Sequence, residues 1–230
     1  MNKKGFEMAA NTIVVLIIAI VIFLGGIGIT YKFFDLAEQR KATVDAETER
    51  SIENLLDTGA KVAVPIFKKK VKRGDLAVFA IGIRNVNAGP NFYVFMTFDE
   101  AIDKAGDKIS TTDQELDDMR EFINANWINT VVAEENILNQ ERSSIPMAID
   151  VKGALCDSAL STCPDSTTVK GTYIFNVCVC DLDDPDNPQC QNYKDNDNIC
   201  DVDGANGISA VDLYGKSSGG DIHKILVEVV

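Results

Sequence analysis

The stretch DLAVFAIGIRNVNAGPNFYVFMTF, Asp75–Phe98, decides how most of this chain is read. Its first half alternates, with Phe79, Ile81 and Ile83 on one face and the charged Arg84 on the other. Its second half sets Phe92, Val94, Met96 and Phe98 against Tyr93, Phe95 and Thr97. A period of two is the mark of a strand with one face in the core. Asn87, Gly89 and Pro90 between the halves are turn residues. The pattern predicts two strands joined as a β-hairpin.

The same period recurs on both sides. KVAVPIF (Lys61–Phe67) is a short strand candidate, and Ile145, Met147, Ile149 and Val151 alternate strictly. In GTYIFNVCVC, Tyr173, Phe175, Val177 and Val179 share one face, and Ile174, Asn176, Cys178 and Cys180 the other. HKILVEVV supplies a last strand. Short strands without βαβ alternation predict an antiparallel β-sandwich. One helical insertion interrupts them: Leu116, Met119, Ile123 and Trp127 recur at helical spacing, and Thr112 with Glu115 three residues on forms a capping box. Asp99–Thr112 is polar and reads as a loop, and the runs Lys68–Lys70 and Lys72–Arg73 read as an exposed hairpin turn.

The amino-terminal part is different. From Met8 to Tyr31 no side chain is charged. As a helix these roughly 24 residues would span about 36 Å, against about 30 Å for a bilayer's hydrocarbon core. No small-residue cleavage site follows; Tyr31, Lys32, Phe33 and Phe34 look like an interfacial belt. Apolar residues continue at helical spacing to Leu56, and Gly59 is a natural cap. The expectation is one long transmembrane and stalk helix over residues 6–59. Gly25, Gly26 and Gly28 in its middle would be a close-packing face, a bend, or a place where the helix locally melts. With the sandwich head over residues 60–230, the expected fold class is α+β.

The net charge of −13 argues against a nucleic-acid partner, because phosphates are bound by basic surfaces. The six cysteines, Cys156, Cys163, Cys178, Cys180, Cys190 and Cys200, are even in number and all follow residue 150. They read as disulfides of an oxidising compartment, with Cys156 and Cys163 spaced for a local bridge. This places the carboxy-terminal part outside the cell and the amino terminus inside. A metal site at Cys178 and Cys180 is the rival reading.

The segment Cys180–Gly207 is dense in aspartate. DVDGANGISAVD (Asp201–Asp212) loosely resembles an EF-hand or dockerin loop, but Ala205 replaces a ligand and Asn206 stands where the turn needs glycine. Asp195, Asp197, Asp201, Asp203 and Asp212 are the candidate calcium ligands, and a solvated acidic loop held by disulfides is the alternative. No nucleophile motif, zinc-protease motif or phosphate loop is present, and the only histidine is His223. A non-enzymatic role is expected.

Lys3, Lys4 and Gly5 followed by Phe6, Glu7 and the apolar run resemble the class III signal sequence of archaeal type IV pilin-like proteins. The resemblance implies a leader of residues 1–5, cut after Gly5 by a prepilin peptidase. It also implies an apolar segment that is held in the membrane and then packs against copies of itself with the pilus assembly machinery. Glu7 stands earlier than the glutamate of bacterial pilins, so their charge pairing does not transfer. The IPMAIDV strand and the KGTYIFNVCV strand resemble immunoglobulin-like domains of archaeal surface proteins, with disulfide-bearing loops over about 154–169 and 180–215. The function implied is a structural subunit of an extracellular type IV-type filament. The alternative is a permanently membrane-anchored surface adhesion protein.

Overall fold

The computed structural model describes residue 18 and residues 46–129, 133–156, 167–184, 200–201, 208–209, 214–215 and 222–230. The chain separates into two compact units, Met1–Ala42 and Thr43–Val230, and nearly all described residues belong to the second.

The described structure is mainly β, which corrects the α+β expectation. Its helices are α1 (Ala46–Asp57) and α2 (Asp113–Asn126). Among the described residues no helix is long and apolar enough to cross a membrane. Of the expected long helix over residues 6–59, the described residues show the short α1 and the single helical residue Ile18. The rest of the part before α1, with Gly25, Gly26 and Gly28, lies outside the described residues.

The strands are β1 (Val62–Ala63), β2 (Lys68–Val71), β3 (Leu76–Arg84), β4 (Asn91–Asp103), β5 (Ala133–Asn136), β6 (Arg142–Asp150), β7 (Gly171–Asp181), β8 (Cys200–Asp201), β9 (Ile208–Ser209) and β10 (His223–Val229). A three-stranded sheet has the order β1-β3-β6 and a five-stranded sheet the order β2-β10-β7-β4-β5. All pairs in these two sheets are antiparallel except β10 with β2. The core lies between them. Phe79 and Ile81 of β3 and Met147 of β6 meet Phe98 of β4, Phe175 of β7 and Ile225 of β10. Each such side chain, fully buried, contributes about 1.5–3 kcal/mol.

The expected β3–β4 hairpin does not form; the two strands lie in different sheets. The connection crosses from one sheet to the other because buried Asn85 holds it open. Its Nδ2 donates to the Gly89 and Ile137 carbonyls at 2.8 and 2.7 Å, and its Oδ1 accepts the Asn87 N–H at 2.8 Å. The segment Lys61–Phe67 also splits. After β1, Pro65 lacks the donor a ladder needs, and the chain joins the other sheet as β2. Lys68–Lys70 thus form an edge strand rather than a turn, and only Lys72 and Arg73 belong to the turn.

Helix α2 begins as its sequence predicts. Thr112 accepts the Glu115 N–H, and the Glu115 carboxylate reaches back to the Thr112 N–H. Met119, Ile123 and Trp127 are buried in the main core. The Trp127 ring lies 5.1 Å from that of Tyr173, whose hydroxyl donates to the Val169 carbonyl at 2.8 Å and accepts its N–H at 3.1 Å. This tyrosine corner pins the entry into β7.

Candidate functional site

Three regions of the described sandwich are candidates. The first is the seat of α1. Thr48, Ile52 and Leu56 recur every fourth residue and are buried. Ile52 and Leu56 pack with Ala63 and Ala80 on the outer face of the three-stranded sheet. The approach is close because β3 carries glycine there: a Cβ on Gly82 would stand 2.2 Å from Ile52 Cγ2. The helix ends in a Schellman turn, with Gly59 at φ 103° and N–H groups of Gly59 and Ala60 returning to Leu56 and Leu55. Arg84 donates to the Leu56 carbonyl at 3.3 Å, and Arg142 pairs with Asp57. Cations at a helix carboxy terminus oppose the negative end of its dipole. Next to this seat an open cleft runs between α1 and Pro65–Ile66, exposing Leu55.

The second surface is the outer face of the five-stranded sheet. Tyr93, Phe95, Cys178, Cys180 and Ile222 form an apolar cluster of their own. Cys156, Cys178 and Cys180 are disulfide-bonded. β8 lies against β7 and pairs in parallel with β9. Tyr214 anchors the excursion between β7 and β10. Its hydroxyl donates to the Arg84 carbonyl at 2.6 Å and accepts the Val86 N–H at 2.9 Å. Its ring meets Phe92 edge-on at 4.9 Å, and Lys61 Nζ stands 5.1 Å from its centroid. Burial holds the phenol proton of Tyr214 above its ordinary range. At the foot of the excursion, Asn87 donates to buried Asp181 at 2.6 Å, and Asp183 accepts from Asn91 N–H at 2.8 Å. His223 lies on the adjoining strand with Nε2 3.1 Å from the Gly215 carbonyl.

The third comprises the two margins of the five-stranded sheet. At one, β2 is the outermost strand among the described residues, with Lys68 and Lys70 each paired to Glu228, at 3.0 and 3.2 Å. These lysines, Lys68 first, draw the Glu228 carboxyl below its usual range. At the other, β5 pairs with the first part of β4 and α2 covers the next part. There a register shift between Phe98 and Glu100 interrupts the ladder. Asn124 accepts the Phe98 N–H at 2.7 Å and Arg120 Nε donates to its carbonyl at 3.3 Å, so side chains replace a strand.

Several predicted residues fall elsewhere. Lys3, Lys4, Gly5, Phe6 and Glu7 lie outside the described residues, as do Cys163, Cys190, Asp195, Asp197, Asp203 and Asp212. Cys200 and Asp201 form β8. Among the described residues no group of three or more histidine, cysteine, aspartate or glutamate side chains is placed to hold a metal. Sequence reasoning missed Gly82, Arg84 and Tyr214. An interior strand glycine was the available signal for the first; nothing local marked the other two.

Comparison with protein-family models and with curated protein sequences finds no match. Among solved structures, the chain is similar to a family 123 glycoside hydrolase from Clostridium perfringens, with 12% identity and a TM-score of 0.32, over 72% of this chain and 23% of that one. It is also similar to an alkylpurine DNA glycosylase from Pseudomonas fluorescens, with 10% identity and a TM-score of 0.31, over 56% and 30%. The chain thus matches under a third of either structure, and likenesses this low carry no argument about function.

Proposed function

We propose that this protein is a pilin-like, non-enzymatic structural subunit of an extracellular type IV-type filament. Its β-sandwich forms the outward head, and its apolar run Met8–Tyr31 supplies attachment to lipid before assembly and contact between subunits after it. One observation carries the reading: α1 is locked to the sandwich at both its side and its end, by the Gly82 seat and by Arg84 on the Leu56 carbonyl. A head held this firmly by its leading helix transmits load to whatever precedes that helix. The Lys3-Lys4-Gly5 boundary adds a processing point, after which the chain would begin at Phe6.

Mass spectrometry of the amino terminus of the native protein, together with electron microscopy of the cell surface, tests this. A chain beginning at Phe6 and present in filaments is the expected result. An uncut native chain beginning at Met1 overturns it. An uncut chain displayed at the surface without filaments would instead fit the adhesion reading, in which the acidic excursion after Cys180 is the binding element.

A further inference from the structure

We propose that β2, the outermost strand of the five-stranded sheet among the described residues, docks on the acidic face of α2 in a second copy of this chain. The inference rests on the filament reading and names one contact between heads.

The two margins of the sheet carry opposite charge. Lys68, Lys69, Lys70, Lys72 and Arg73 are five basic residues in a six-residue stretch of a chain whose net charge is −13. Lys68, Lys70, Lys72 and Arg73 are exposed. Glu228 offsets part of this charge through Lys68 and Lys70, and the Asp75 carboxylate accepts the Lys72 N–H. Neither Lys72 nor Arg73 has an ion-pair partner among the described residues. Opposite them, α2 holds Asp113, Glu115, Asp117, Asp118 and Glu121 against one arginine, Arg120, which pairs with Asp117. Asp113, Asp117 and Glu121 are exposed.

The two surfaces are related through the register of the sheet and lie within about two residues of one level. Lys68–Val71 register with Leu226–Val229, these with Ile174–Gly171, and these with the Glu100–Asp103 end of β4. α2 meets β4 beside that end, at Phe98. Within one molecule the margins are three strand spacings apart, about 14 Å, with the width of a helix beyond. They cannot neutralise each other internally. Between copies they can, and a contact joining different patches is heterologous, so it repeats without closing unless the rotation forms a ring. Lysines on a free edge also keep two such edges from pairing with each other. That leaves a side-chain contact with an acidic partner as the favoured use of this edge.

Zero-length carbodiimide coupling of the full-length native protein, followed by peptide mapping, tests the contact. The expected result is coupling between Lys70 or Lys72 of one copy and Asp113, Asp117 or Glu121 of another, weakened in 0.5 M salt. The variant Lys70→Glu/Lys72→Glu/Arg73→Glu should weaken association about tenfold, as should Asp117→Lys/Glu121→Lys. Mixing the two variants should restore it, an outcome that misfolding cannot produce. Assembled filaments without this coupling overturn the inference and leave the filament reading intact. Coupling in a native chain that is uncut and forms no filaments keeps the contact and removes that reading. Absence of coupling between copies, with retention on anionic over neutral vesicles that the Lys70→Glu/Lys72→Glu/Arg73→Glu variant loses, identifies β2 as a lipid-facing edge and overturns the inference.

Discussion

Gly82 and Ile52 occupy space that no larger pair could share: a Cβ on Gly82 would lie 2.2 Å from Ile52 Cγ2 and 3.3 Å from Leu56 Cδ1. The glycine serves as the floor on which α1 rests. Gly82→Ala should therefore destabilise the head by about 1–3 kcal/mol through overpacking, read from urea unfolding. Ile52→Ala costs stability alone, but in the double variant the two losses should not add, because the smaller side chain makes room. Full additivity would mean that α1 does not rest on this strand.

Tyr173→Phe removes the hydroxyl that serves both polar groups of Val169. Leaving that peptide unsatisfied should cost about 1–3 kcal/mol. Burial raises the Tyr173 phenol well above its ordinary range. A raised folded-state value gives a contribution that is complete below the unfolded value of about 10 and is lost as pH rises beyond it. Stability measured between pH 8 and 11.5 should fall from about pH 10 upward, and less steeply in Tyr173→Phe. Parallel curves would remove Tyr173 from the alkaline transition.

The capping box of α2 is open to a similar test. Thr112→Ala should cost about 1 kcal/mol. Hydrogen bonds from Thr111, then Thr112, hold the Glu115 carboxyl below its usual range. A lowered folded-state value gives a contribution present above the unfolded value of about 4.3 and lost as pH falls through the folded one. Glu115→Gln should flatten the acid limb of the stability curve in this window. An unchanged limb would show that the carboxylate is idle.

Reduction should uncover the outer face of the five-stranded sheet. Cys178 and Cys180 are disulfide-bonded and fully buried beside Tyr93, Phe95 and Ile222. Complete reduction, checked by thiol titration, is expected to lower stability by about 2–5 kcal/mol and raise binding of a hydrophobic dye. Unchanged dye binding at full reduction would mean that the disulfides do not hold the cover in place.

Most core-facing strands were legible in the sequence; the exception is the end of β4, where Asp99–Asp103 reads as loop but is strand with Ala101 in the core. The alternations of β6 and β7 and the stripe of α2 all point inward as their spacing predicts. Partnership was not legible. β3 and β4 each carry a sound period of two, but alternation records which face is buried and not which strand lies alongside. What separates them is the Asn85 side chain, which satisfies Gly89 locally and also reaches Ile137, 52 residues on, a contact with no local signature. The seat of α1 was half visible: the repeat of Ile52 and Leu56 marked a helix face, while its landing place required the fold. The β2 lysines are legible as charge, and their place at a margin follows only from the parallel pairing with β10.

The excursion between Asp181 and His223 leaves and re-enters on neighbouring antiparallel strands, β7 and β10, with Tyr214 fastened to the sandwich on its way back. Because its two feet stand one strand apart, lengthening it costs only a slowly growing closure entropy and leaves the ladder undisturbed. A surface mounted in this way can drift in sequence, or accept a grafted epitope, while the scaffold beneath it stays constant.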